Sequence, residues 1–145
     1  MNTLQAFNRP RFLGALAAAV ISLAAYADVA IGDEIKLMLS GDNEVPAVKT
    51  AAKGSGTIMI NADMTVSGSV TTTGVAGTMA HIHQGAAGAN GPVIIPLTKS
   101  GDNGWAVPAG AKLTEAQYKA YKAGGLYVNV HSAANKGGEI RGQLK

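Results

Sequence analysis

Glu34-Ile35-Lys36-Leu37-Met38-Leu39 alternates polar and apolar residues, and the turn cluster Ser40-Gly41-Asp42-Asn43 ends the run. That pattern repeats along most of the chain and limits what it can fold into. A period of two is the mark of a strand with one buried face. Lys53 to Ile60 reads as a second strand, Asn61-Ala62-Asp63 as a tight turn, and Met64 to Thr72 as a third, so these form a hairpin. Val75 to His83 reads as a fourth strand, and Gln84 to Gly91 as a glycine-rich loop. Pro92 to Leu97 is a short apolar segment in which Pro96 favours an edge or a strand end. Gly125 to His131 and Glu139 to Leu144 complete the set, with a loop over 132–138 between them.

One helix interrupts the strands, at about 113–123. Thr114 is positioned to cap it, and Gln117 stands where a capping box needs Glu or Gln. Gly124-Gly125 stops it. Many short strands, frequent glycine turns and a single helix predict an all-β fold, an antiparallel β sandwich or barrel. SGDN occurs at 40–43 and again at 100–103, each followed by Val-Pro, but turn residues recur by chance and carry no repeat.

The first residues are read apart from the fold. Arg9 and Arg11 precede an apolar run from Phe12 to Ala24, and Ala25-Tyr26-Ala27 has the small-x-small form of a cleavage site. This predicts a signal peptide over 1–27 and a single domain over 28–145. A membrane anchor is the less favoured reading, because the run is short against the roughly 20 residues a span requires. Cleavage would remove two of the 12 basic residues and no acidic one, which lowers the formal net charge from +3 to +1. No basic run with interleaved aromatics points to nucleic acid. The expected location is periplasmic or secreted, with no membrane association after cleavage.

There is no cysteine, so neither disulfides nor thiolate metal sites are available. There are three histidines, and they fall at two strand ends. His81 and His83 project from one face of the fourth strand, and Met79 shares their parity. His131 ends the run Tyr127-Val128-Asn129-Val130-His131, in which Tyr127, Asn129 and His131 share a face. If Val128 and Val130 face the core, His131 faces a site or solvent. A His-x-His pair with a third histidine from another strand is a donor set for copper first and zinc second, with Met79 as a further candidate ligand. Surface histidine pairs also occur without metal, and core filler is the favoured reading of Met79. Glu139 and Arg141 share a face of the last strand. They are candidates for an outer shell around the imidazoles, or form an exposed ion pair of little worth. No catalytic set emerges, since Ser132 beside His131 has no acid to complete a triad.

Three stretches resemble one family. LSGDNEVPAVKTAAKGSGT at 39–57, AHIHQGAAGANGPVIIPL at 80–97 and YVNVHSAANKGGEIRGQL at 127–144 are similar to the successive motifs of the chordin-type, or CHRD, domain. The resemblance implies an all-β extracytoplasmic domain, known from bacterial secreted proteins and animal chordin. It implies no established enzyme activity. The family's motif histidines fall on His81, His83 and His131, and its closing Glu and Arg on Glu139 and Arg141. Gln84-Gly85 departs from the pattern by one extra residue after the second histidine. The order His81-Ile82-His83, His131, Arg141 is also similar to that of copper–zinc superoxide dismutases. The cysteines and further histidines of those enzymes are missing here.

Three functions follow as expectations. The first is copper buffering, storage or delivery outside the cytoplasm through His81, His83 and His131. The second is a copper-dependent redox enzyme. The third is a non-catalytic module that binds another extracytoplasmic protein.

Overall fold

The computed structural model describes residues 32–145, so the expected signal peptide lies outside the described residues. Nine strands form one antiparallel sheet. They are β1 (Asp33–Ser40), β2 (Lys53–Ile60), β3 (Val66–Thr73), β4 (Gly77–Gln84), β5 (Val93–Pro96), β6 (Thr98–Ser100), β7 (Gly104–Ala106), β8 (Leu126–Ser132) and β9 (Ile140–Gln143). Their order across the sheet is β5-β4-β8-β9-β1-β2-β3-β7-β6. The two ends of that order, β5 and β6, are consecutive in the chain and joined by Leu97 alone. Leu97 N–H still donates to Ala80 O of β4, while Thr98 already pairs with Ala106 of β7. A single extended segment therefore changes partners midway and draws the sheet into a nearly closed barrel.

The alternation seen in the sequence decides which face is inside. Ile35, Leu37 and Leu39 of β1 face inward, as do Ile58 and Ile60 of β2 and Val66 and Val70 of β3. Ala80 and Ile82 of β4 and Val128 and Val130 of β8 complete that side, each at most 1% exposed. Trp105 of β7 is buried in the same core, which anchors the strand that the sequence pattern missed. β6 and β7 went unrecognised because they are three residues each and β6 is exposed throughout.

The helix α1 (Glu115–Lys122) has the expected capping box: Gln117 N–H donates to Thr114 Oγ1, and Thr114 N–H donates to Gln117 Oε1. It packs against β4 and β8 and buries Tyr121. The Tyr121 hydroxyl donates to Asp33 Oδ2, which ties the helix to the start of β1. Lys122 also reaches Asp33, at 3.0 Å, but both side chains are about half exposed and the pair adds little. The two SGDN stretches have different structures. The first forms a 3-10 turn over Gly41–Asn43, and the second is the tight turn between β6 and β7. Among the described residues no helix is long and apolar enough to cross a membrane.

Candidate metal centre

Strand pairing brings the three histidines together. In the β4–β8 ladder Met79 faces His131, His81 faces Asn129 and His83 faces Tyr127. Directly opposed residues share a sheet face. Their neighbours Ala80, Ile82, Val128 and Val130 fill the core, so this face is the outside of the barrel. β9 extends it, with Arg141 opposite Asn129 and Gln143 opposite Tyr127. An outer sheet face is normally solvated, yet His83, His131, Tyr127, Asn129 and Arg141 are all buried. Residues of three loops, over 41–52, 85–92 and 133–139, bond to it and bury these side chains, while Met79 at its edge stays half exposed.

The ligating nitrogens of His81, His83 and His131 all lie within 4.8 Å of one another. Backbone carbonyls fix two of the rings. His83 Nδ1 is 3.0 Å from Gly91 O, and His131 Nδ1 is 2.8 Å from Lys136 O. A carbonyl oxygen only accepts, so in the neutral rings each Nδ1 carries the proton and each Nε2 keeps its lone pair. For His131 that lone pair meets His81 Nδ1 at 3.0 Å, which makes His81 the donor. For His83 it meets nothing: Nε2 is buried without a hydrogen-bond partner. A lone pair held out of water and unpaired is costly in a purely structural histidine. Fixing an imidazole by its far nitrogen is how proteins orient metal ligands.

The three donors fit a first-row metal ion after a small contraction. Nitrogens about 2.0 Å from a tetrahedral ion stand about 3.3 Å from one another. His81 Nδ1 and His131 Nε2 are close to that spacing, so a metal held there would require the His81 proton to move to Nε2, and the remaining adjustment lies between that pair and His83. The His81 side chain is free to make it, since it is only half-buried and its ring nitrogens bond to His131 alone.

The charge state suits a ligand role. Burial, then the neighbouring His131 and His83, holds the His81 imidazole below its ordinary value. Burial does the same to His83. The Gly91 carbonyl partly offsets it, and the charges of His131 and Arg141 reinforce it. For His81 and His83 the neutral ring is therefore favoured into mildly acid solution. Met79 stands across from His131 on the same face and is 50% exposed, so it is not core filler.

Arg141 and Tyr127 support the site from beneath. The Tyr127 ring stacks on His83, with centroids 4.8 Å apart and planes 6° from parallel. The Arg141 guanidinium lies 3.4 Å from the Tyr127 ring centre. Its Nη2 donates to Ala86 O at 2.9 Å and Gln143 Oε1 at 3.3 Å, and Nη1 reaches Asn90 Oδ1 at 3.4 Å. Gly91 N–H donates to the Tyr127 hydroxyl at 3.2 Å. Gly91 thus touches the stack through its amide and His83 through its carbonyl. It has room only as glycine, because a β-carbon there would overlap the Gln84 carbonyl oxygen.

Glu139 is placed differently. It is buried, but its carboxylate accepts from Thr50 Oγ1 at 2.7 Å, and bonds to Ser132 and Asn135 help hold it below its ordinary value. It anchors the loops beside His131 and makes no bond to an imidazole. The sequence reading did not include Glu44. This residue lies in the first loop at 7% exposure and accepts from Asn129 Nδ2. Gly138 covers that pair with φ +134°. A β-carbon there would sit 2.7 Å from Glu44 Oε1 and closer still to Asn129 Nδ2. Gly138→Ala is therefore expected to destabilise the domain by about 3 kcal/mol, through backbone strain and overpacking together. Urea unfolding checks this, and a loss within about 0.5 kcal/mol of zero contradicts it.

No curated protein matches the chain, and no solved structure matches it. The family model of the CHRD domain matches residues 35–144, which takes in all three histidines and every strand except the first two residues of β1. The chain belongs to the CHRD domain family.

Proposed function

We propose that this is an exported copper-binding protein, in which His81, His83 and His131 hold one copper ion for buffering, storage or delivery outside the cytoplasm. On this reading residues 1–27 are removed on export, and residues 28–145 act as a single domain in the periplasm or outside the cell. The observation that carries it is the buried, unpartnered Nε2 of His83, in a ring whose ligating nitrogen lies within 4.8 Å of those of two other histidines. A module whose histidines served only to brace loops would leave that atom unexplained. Copper ranks above zinc because the donors are imidazoles and copper binds such sets more tightly. The Met79 thioether on the same face favours copper further. The half-exposed His81 leaves an approach for a small molecule, which favours copper redox chemistry as the second reading, with superoxide the first substrate to assay.

The test uses a chain beginning at Asp28, made without a histidine tag and offered equimolar Cu(I), Cu(II) and Zn(II). About one copper per chain should survive desalting. Copper should also raise the melting temperature, since free metal at 100 times Kd adds about 2.7 kcal/mol. A protein that retains no metal and melts unchanged defeats the proposal and turns attention to protein partners.

A further inference from the structure

The metal centre has an unusual charge balance. Its three donors are imidazoles, which bring no negative charge, and among the described residues no Asp or Glu joins them in the cluster. On the same face, one ring away from His83, lies a buried cation. Arg141 is 1% exposed, and a guanidinium does not lose its proton inside a protein. Its hydrogen bonds go to the Ala86 carbonyl and to the amides of Asn90 and Gln143, all neutral. Among the described residues no carboxylate lies within 4.0 Å of it; the Glu44 carboxyl feels its charge, but burial favours the neutral acid there. The charge is coupled to a ligand through one ring, because Tyr127 has Arg141 against it at 3.4 Å and stacks on His83 at 4.8 Å.

We propose that Arg141, held against His83 through the Tyr127 ring, makes the three-histidine centre selective for Cu(I) over Cu(II) and Zn(II). The inference rests on the copper reading above and goes further by naming the oxidation state. A fixed positive charge opposes any bound cation in proportion to that cation's own charge. It therefore weakens a doubly charged ion twice as much, in free energy, as a singly charged one. Arg141, Tyr127 and His83 are themselves buried, so the opposition is screened less than it would be at an exposed surface. No anionic ligand offsets it. The soft thioether of Met79 on the same face acts in the same direction. Arg141 is here a positioning and field-setting residue that touches no metal.

The charge argument makes a prediction that structural damage would not imitate. Removing the cation should strengthen binding, and strengthen it more for Cu(II). In Arg141→Gln, Cu(I) affinity should rise about tenfold and Cu(II) affinity about 100-fold. The resulting tenfold change in their ratio corresponds to a fall of about 59 mV in the Cu(II)/Cu(I) potential. Competition titrations with bicinchoninate for Cu(I) and glycine for Cu(II) measure both affinities. Arg141→Lys, which keeps the charge and loses the planar stack, should leave the ratio within about threefold of the parent. An unchanged ratio in Arg141→Gln overturns the inference, as does an equal shift in Arg141→Lys. If Arg141→Gln does not fold, Gln143→Glu replaces it. That change sets a carboxylate against Arg141 Nη2 and must move the ratio the same way; no movement overturns the inference equally. A parent that retains neither copper ion defeats the copper reading itself. A parent that retains copper while the variants leave the ratio fixed defeats only the role of Arg141.

Discussion

His83→Ala and His131→Ala are each expected to abolish copper retained through desalting. Losing a positioned ligand should exceed the 10–100-fold that loss of an outer partner typically costs. The two variants should differ in the metal-free protein. His131 has a carbonyl bond to Lys136 and a ring bond to His81, and its removal releases the 133–139 loop while leaving His81 unpaired. His83 has one bond, to Gly91, and a stack on Tyr127 worth about 1 kcal/mol. Its removal also removes a buried lone pair that nothing satisfies. Metal-free His131→Ala should therefore melt well below metal-free His83→Ala, while neither holds copper. Retention of a full equivalent of copper by either variant excludes that ring as a ligand.

Glu44→Gln should stabilise the domain by about 3 kcal/mol at pH 8 and leave it nearly unchanged at pH 4. Burial pushes the Glu44 carboxyl up from 4.5 to about 7, despite the opposing pull of Arg141 and the bond from Asn129. The folded state thus holds a proton that the unfolded chain releases near pH 4.5. The stability this confers is complete below that pH and is lost as pH rises through about 7. Glutamine imitates the protonated form at every pH and still accepts from Asn129. The two lowered histidines give the opposite slope: they stay neutral in the fold, so stability is lost as pH falls below 6.5. Because both proteins carry them, the difference between the two melting curves isolates Glu44. Curves that run parallel from pH 4 to pH 8 would show that Glu44 ionises normally.

The strands were legible in the sequence wherever one face is buried and the other is not. β1, with its strict alternation, and β2, whose predicted bounds coincide with the observed ones, needed no tertiary information. The helix was legible from its capping pair. β6 and β7 were not, since a three-residue strand has no room for a period and Trp105 is buried by what lies across the barrel. The site divides the same way. Parity placed His81 with His83, and His131 with Tyr127 and Asn129, but neighbouring strands are a property of the closed sheet. The β4–β8 ladder made one centre of them. Glu44 and the carbonyls of Gly91 and Lys136 had no local signal at all. Glu44 meets Asn129 across 85 residues of chain, while Gly91 and Lys136, 8 and 5 residues from their histidines, act through backbone carbonyls whose direction is set by the loop conformation.

The centre occupies the outside of a barrel whose inside is occupied by the core, and the two share strands but no side chains. Heredity can therefore act on them separately. Replacing His81, His83 or His131 leaves Ala80, Ile82, Val128 and Val130 where they were. A descendant that lost the histidines would inherit the same barrel core with a blank outer face, ready to be rewritten for a different partner.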